Sequence, residues 1–340
     1  MKTIAAGIIL TLAIIPVFAA ETSPSSSSLT GLGFVGGLHQ PEDILQIGRS
    51  RWIIVSGMEK GGGISLIDAE ARTARPFFTG QTKPDPGMYP DCRVPDLNLF
   101  NTHGLALLPG RRAGLYRLYS VSHLPFEAIH IFSVDARRAE PAIAWMGCVK
   151  LTDGHANAVT AKRDGTILAN MTLRGGFTND DFAKRGIKTG GIYAWSPVTK
   201  AVRMLPGTEL RGNNGIEISR DETQAYVAVP NDEMVAVFDL ADTAKGPRLV
   251  ATPGWRVDNI HWSGAGLIAA GKVPANSGWR AAALDPVKLD WKDIAHGTAD
   301  PAFGGVTTAL ILGGMVWLGS YQEDRVAWLP LREPHVAESH

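Results

Sequence analysis

Glu42, Asn157, Asn214, Asp258 and Asn259 make up a set of two carboxylates and three amides spread along most of the chain. Carboxylate and amide oxygens, without sulfur or imidazole, suit a hard ion such as calcium or another divalent cation, and two anionic ligands balance a divalent charge. Any one of these Asn residues, taken alone, reads as a turn or capping residue. They read as one site because they stand at the openings of a repeated pattern.

That pattern is a polar residue or pair, a few apolar residues, a turn, a strongly apolar run and a second strand-like run. It opens at Glu42-Asp43-Ile44, His103-Gly104-Leu105, Asn157-Ala158-Val159, Asn214-Gly215-Ile216, Asp258-Asn259-Ile260 and Gly305-Val306-Thr307, with starts 61, 54, 57, 44 and 47 residues apart. This is the period of propeller blades. The first strand of each blade lines a central channel, so residues at equivalent openings converge on one axis.

Strand chemistry supports the repeats. Trp52 to Ser56, Leu115 to Val121, Gly191 to Trp195, Gln224 to Val229 and Met234 to Leu240 are short, apolar and rich in β-branched or aromatic residues. Arg163-Asp164-Gly165, Ser219-Arg220-Asp221-Glu222 and Ser263-Gly264-Ala265-Gly266 supply tight connections between first and second strands. No long segment has helical periodicity, so the crossover helices of a parallel α/β fold are missing. The predicted fold class is all-β, a six-bladed β-propeller spanning 31–335 without an internal domain boundary.

Residues 1–20 read as a signal peptide. Lys2 precedes an apolar run from Ile4 to Phe18, and small residues at Ala19 and Ala20 suit cleavage. Residues 21–30 form a Ser-rich linker, and no membrane span is expected after cleavage. The expected location is therefore periplasmic or secreted. In an oxidising compartment, Cys92 and Cys148 are expected to form a disulfide joining the same end of neighbouring blades; two buried free thiols are the alternative. Lys plus Arg and Asp plus Glu both total 33, so no global field favours nucleic acid. A Gly-x-Ser-x-Gly elbow and a His-Glu-x-x-His helix are both missing, which argues against serine hydrolase and zinc protease chemistry.

Pro41-Glu42-Asp43-Ile44, Asn101-Thr102-His103-Gly104-Leu105, Ser122-His123, Asn157-Ala158-Val159, Asn214-Gly215-Ile216-Glu217-Ile218-Ser219 and Val257-Asp258-Asn259-Ile260 occur in an order that resembles the paraoxonase and arylesterase family of calcium-dependent lactonases. That family lies within the wider gluconolactonase-like group of six-bladed propellers. The resemblance implies that Glu42, Asn157, Asn214, Asp258 and Asn259 hold a catalytic calcium and that His103 and His123 form a catalytic histidine dyad. It also implies a second ion at Asp43 and Leu105, although Ala158 stands where that site needs an acidic residue. The family's terminal disulfide is missing, so ring closure is expected from strand pairing around Phe34-Val35.

The expected activity is hydrolysis of a small-molecule lactone or aryl ester. The ion polarises the carbonyl, His103 acts as general base and His123 orients it or relays the proton. His155, two residues before Asn157, is a second-choice base. A non-catalytic propeller that uses the ion to hold a ligand or protein partner is the alternative. Insertions at Lys83 to Phe100 and Leu173 to Gly190 are candidates to border the site, with Met88, Tyr89, Leu97, Phe100, Phe177 and Phe182 as an apolar wall; packing of these residues against the propeller is the alternative and the commoner case.

Overall fold

Alternating apolar residues let each short strand bury side chains against the blades on both sides, and the chain repeats this arrangement around an axis. The computed structural model describes residues 31–274, 278–298 and 303–331. The expected signal peptide, the linker and the last residues of the 31–335 span lie outside the described residues. Within them, six four-stranded sheets form the predicted six-bladed β-propeller. The predicted strands Trp52–Ser56, Gly191–Trp195 and Gln224–Val229 have the bounds read from sequence. No helix of the described residues is long and apolar enough to cross a membrane.

The inner strands are Ile44–Gln46, Leu105–Pro109, Gly154–Ala161, Ile216–Ile218, Arg256–Ser263 and Val306–Leu312. Each touches the inner strand of the next blade, and the last touches the first, so the contacts close a circuit around the axis. Apolar clusters fill the interfaces between blades. Leu118 and Phe132 meet Ile54 and Leu66 between blades one and two, and Tyr226 and Val237 meet Val257 and Ile260 between blades four and five. Full burial of side chains of this size is worth about 1.5–3 kcal/mol each.

Ring closure follows the expected route. Strand Gly33–Gly36 pairs antiparallel with Arg325–Pro330, placing Phe34 opposite Ala327 and Val35 opposite Val326. The first described strand thus completes the last blade, and Val35 packs with Ile44 and Trp317 where blade six meets blade one.

Cys92 and Cys148 form the expected disulfide, with a Cα separation of 5.6 Å. Its placement differs from the expected one. Cys148 lies on Ala142–Lys150, the outer strand of blade two, and Cys92 lies in the segment leading into the same blade. The bridge therefore fastens the 83–100 insertion to one blade instead of joining two. Backbone hydrogen bonds from Lys83 to Trp145 and from Asp85 to Met146, each 2.8 Å, seat the insertion along that outer edge.

Glycine at Gly104 and Gly215 is required by the closeness of the inner strands. A Cβ on Gly104 would come within 2.6 Å of the Asn157 carbonyl oxygen, and one on Gly215 would run into the Asp258 carbonyl and the Asn259 Cα. The amide of Gly104 donates to Asn157 and that of Gly215 to Asp258, both at 3.1 Å. Gly215→Ala should therefore cost about 1–3 kcal/mol through overpacking. Gly36→Ala, where an added Cβ meets nothing within 4 Å, should change little. Thermal melts of both variants check this, and equal melting temperatures would contradict the close-approach reading.

Candidate metal centre and histidine relay

Irregularities at the tops of the inner strands aim the donor residues. In Gly154–Ala161 the register shifts on either side of Ala156, leaving Asn157 outside the ladder between the pairs Ala156–Met171 and Ala158–Asn170. In Arg256–Ser263 the register jumps between Val257 and Ile260, so Asp258 and Asn259 both sit in the irregular turn of the strand. Such bulges redirect side chains that a regular pleat would alternate between faces. Glu42 and Asn214 instead lie just before their strands. Asn170, which sequence reading did not single out, holds the latter start by donating from Nδ2 to the Asn214 carbonyl at 2.8 Å.

The structure brings Glu42, Asn214, Asp258 and Asn259 together, and Asn157 meets the neighbouring inner strand through its backbone carbonyl, which accepts the Gly104 N–H. Asn259 Nδ2 donates to Glu42 Oε1 at 2.7 Å, across the ring from blade five to blade one. Asp258 feels the Glu42 charge and lies beside the Asn214 side chain. Glu42 Oε2, Asn157 Oδ1 and Asn214 Oδ1 are buried without any hydrogen-bond partner. Among the described residues, no other buried side-chain carboxylate or amide oxygen is left this way. A buried polar atom without a partner costs about 1–3 kcal/mol, and three acceptor oxygens from three blades are the arrangement a cation satisfies. The residues therefore fit a hard-cation centre. Asn259 serves it in this structure by holding Glu42 through its N–H.

Electrostatics agree with the donor geometry. Desolvation and the neighbouring Glu42 carboxylate push Asp258 up to about 7. His103 lies with its Nε2 3.7 Å from Glu42 Oε1. Burial lowers its affinity for a proton, but the charge of Glu42, together with Asp258 and Asp43, outweighs burial and raises its pKa. A proton on His103 thus partly neutralises the carboxylates.

The two predicted histidines are in contact, and the relay extends beyond them. His103 Nδ1 lies 2.9 Å from His123 Nε2. His123 Nδ1 lies 3.0 Å from both Glu127 oxygens, and Glu127 Oε1 also accepts the Ala156 N–H at 2.7 Å. Asn101 Oδ1 accepts the backbone N–H groups of His123 and Leu124, each at 3.1 Å, which fixes the loop carrying His123. Glu127 escaped sequence reading because its only signal is a carboxylate four residues after His123 in a proline-containing turn. His155 lies on the far side of Glu127, with Nδ1 3.4 Å from Oε2 and a side chain 68% exposed. It is two side chains removed from His103, which weakens its standing as a base.

The pair implied for a second ion is built differently. Asp43 Oδ1 accepts from the Ile44 N–H at 2.9 Å and faces His261 Nε2 at 2.7 Å, while Oδ2 accepts from the Leu105 N–H at 2.8 Å. Leu105 thus offers Asp43 its amide, and both Asp43 oxygens have partners. Burial opposes protonation of His261, but Asp43 and then Glu217 overcome it and raise the imidazole to about 10. His261 of blade five thus lies, charged, between Asp43 of blade one and Glu217 of blade four.

Asn214 and Asp258 also line a cavity of about 260 Å³ with Phe182, Arg256 and Lys272. Of the six residues expected to form an apolar wall, Phe182 alone is among those lining this cavity. Tyr89 is buried with its ring 5.5 Å from that of Trp195, Met88 packs against the same cluster, and Phe100 is buried beside Phe78 and Phe132. Leu97 is exposed on the outer insertion, and Phe177 packs beneath the Arg174 guanidinium at 5.5 Å. The 83–100 insertion gains more from packing its aromatic residues against blades one to three than from covering the channel.

No protein-family model and no curated protein sequence matches the chain. Solved structures share its fold. A gluconolactonase from Xanthomonas campestris is 15% identical, with a TM-score of 0.56 over 88% of this chain and 89% of its own. A luciferin-regenerating enzyme is 13% identical, with a TM-score of 0.54 over 87% and 93%. The PQQ-bound aldose sugar dehydrogenase of Streptomyces coelicolor is 15% identical, with a TM-score of 0.51 over 91% and 100%. A fold shared by proteins of such different names leaves chemistry to be argued from the site.

Cation binding at this centre should depend on pH. Asp258, raised to about 7, binds a proton below that value and is a carboxylate above it, so protons compete with the ion on the acid side. The proton on His103 acts in the same direction. Calorimetric calcium titration should therefore give an affinity about tenfold weaker at pH 6 than at pH 8. Asp258→Asn should weaken binding at pH 8 and flatten this dependence. Equal affinity in wild type and variant would remove Asp258 from the centre.

Proposed function

We propose that the chain is an exported, calcium-dependent lactonase or arylesterase that hydrolyses a small lactone or aryl ester. The three buried, unpartnered oxygens of Glu42, Asn157 and Asn214 carry this reading, because they belong to three different blades and lie beside a histidine relay. The likeness to the Xanthomonas campestris gluconolactonase supports it at the level of fold. Export is proposed from the signal-like first twenty residues.

Glu42, Asn157, Asn214 and Asp258 would hold the ion, with Asn259 steadying Glu42. Calcium bound there supplies a Lewis acid for the carbonyl oxygen and a positive charge that offsets the carboxylates' hold on the His103 proton. Neutral His103 then accepts a proton at Nε2 as water attacks the carbonyl carbon. His123 holds the His103 ring through Nδ1, and Glu127 in turn holds His123, so the base is oriented from behind. When the carbon–oxygen bond of the lactone or ester breaks, the departing alkoxide or phenoxide takes the proton back from His103. The cavity beside Asn214 and Asp258 has room for a compact substrate, with Phe182 as an apolar contact.

His103→Gln should lower turnover of a lactone or aryl ester about 100- to 10,000-fold, the usual contribution of a general base. Calcium affinity should stay at or above that of wild type, because the donor set contains no imidazole. Hydrolysis assays across a substrate panel, with chelation and calcium return, test both statements, and a thermal melt accompanies them. Wild-type turnover by the folded variant would reject His103 as the base. Turnover unaffected by chelation would reject the metal-dependent reaction. A protein that binds calcium and hydrolyses nothing in the panel would favour the ligand-binding propeller.

A further inference from the structure

We propose that His123, Glu127 and His155 form a second metal site, specific for zinc or a similar borderline transition ion and separate from the oxygen-only centre. Each offers one donor atom, and the three atoms lie within 4.8 Å of one another. The Nδ1 atoms of His123 and His155 lie 3.0 and 3.4 Å from Glu127 oxygens. Metal–ligand bonds of about 2.0–2.1 Å at tetrahedral angles place neighbouring ligand atoms about 3.4 Å apart. His155 and Glu127 already stand at that spacing, and the third donor, on His123, lies within 4.8 Å of both.

The donor chemistry differs from that of the channel centre. Two imidazoles and one carboxylate are borderline ligands that select zinc-like ions over calcium. Three protein ligands leave a fourth position, and the exposed side of His155 opens it to solvent. Glu127 is nearly buried and anchored by the Ala156 N–H, so one ligand is fixed before an ion arrives. The fixed loop around Asn101 places the second, and only His155 must lose side-chain freedom.

Occupancy has a consequence for the neighbouring relay, which rests on the proposed role of His103. An ion on His123 Nδ1 forces its proton to Nε2, as ligating histidines commonly donate from the other ring nitrogen. His123 then donates to His103 Nδ1. A neutral His103 accepting at Nδ1 carries its proton at Nε2, where the proposed base must be free. Zinc at this site should therefore inhibit hydrolysis.

The test uses calcium-saturated protein titrated with cobalt(II) as a spectroscopic probe, followed by displacement with zinc. Wild type should bind one equivalent with nitrogen ligation visible in X-ray absorption, and zinc should displace it without releasing calcium. His155→Ala and Glu127→Gln should each weaken zinc binding at least about tenfold, since loss of even an outer partner costs that much. Calcium affinity should not change in His155→Ala. Zinc affinity equal in wild type and both variants, ligation by oxygen alone, or uptake only by expelling calcium would overturn the site. These readouts do not depend on any hydrolysis. Where a substrate is turned over, stoichiometric zinc should inhibit wild type and leave His155→Ala at its own zinc-free rate; equal inhibition of both would also overturn the assignment.

Discussion

Glu42, Asp43 and Asp258 place three carboxylates at the centre of the ring, where the charge of Glu42 raises the cost of ionising Asp258 and water can do little to screen them. The chain answers this charge in two ways. Asp43 faces His261, whose imidazole is held in its charged form between Asp43 and Glu217. Glu42 and Asp258 are opposed more weakly, by Asn side chains, the edge of His103 and, for Asp258, the charge of Lys272, and oxygens beside them are left without partners. One of the three carboxylates is neutralised by an imidazolium, and the other two are those for which we propose a cation.

The same constraint explains the form of the inner strands. Side chains of a regular strand alternate between faces and would direct only every second residue along the blade correctly. Bulges at Asn157 and at Asp258-Asn259 break that alternation where donors are needed. Glycine at Gly104 and Gly215 lets adjacent strands come close enough for their backbones to hydrogen-bond across blades. The position of the proposed base follows directly, since His103 immediately precedes one of these glycines and reaches Glu42 on one side and His123 on the other.

Much of the fold was legible because propeller strands are short, local and repeated. The openings at Glu42, Asn157, Asn214 and Asp258 marked inner-strand positions, and β-branched runs such as Gln224–Val229 marked strands without long-range information. The donor set was legible for the same reason, since repeat equivalence implies spatial convergence. Glu127, His261 and Asn170 were not legible as partners, because their roles depend on contacts across a loop or between blades. His261 in particular sits on the same inner strand as Asp258 and Asn259, yet pairs with a residue 218 positions away. The role of the 83–100 insertion was not legible because its aromatic residues give the same signal whether they face a substrate or a neighbouring blade. The disulfide pair was legible, but the path of the chain around one blade determined what it ties together.

The most direct measurement is anomalous diffraction from crystals grown with calcium. The account predicts one strong anomalous peak in contact with Glu42 Oε2, Asn157 Oδ1, Asn214 Oδ1 and Asp258, and none beside Asp43, where His261 supplies the charge. No peak between those oxygens at saturating calcium, or a peak at Asp43 with His261 displaced, would contradict it.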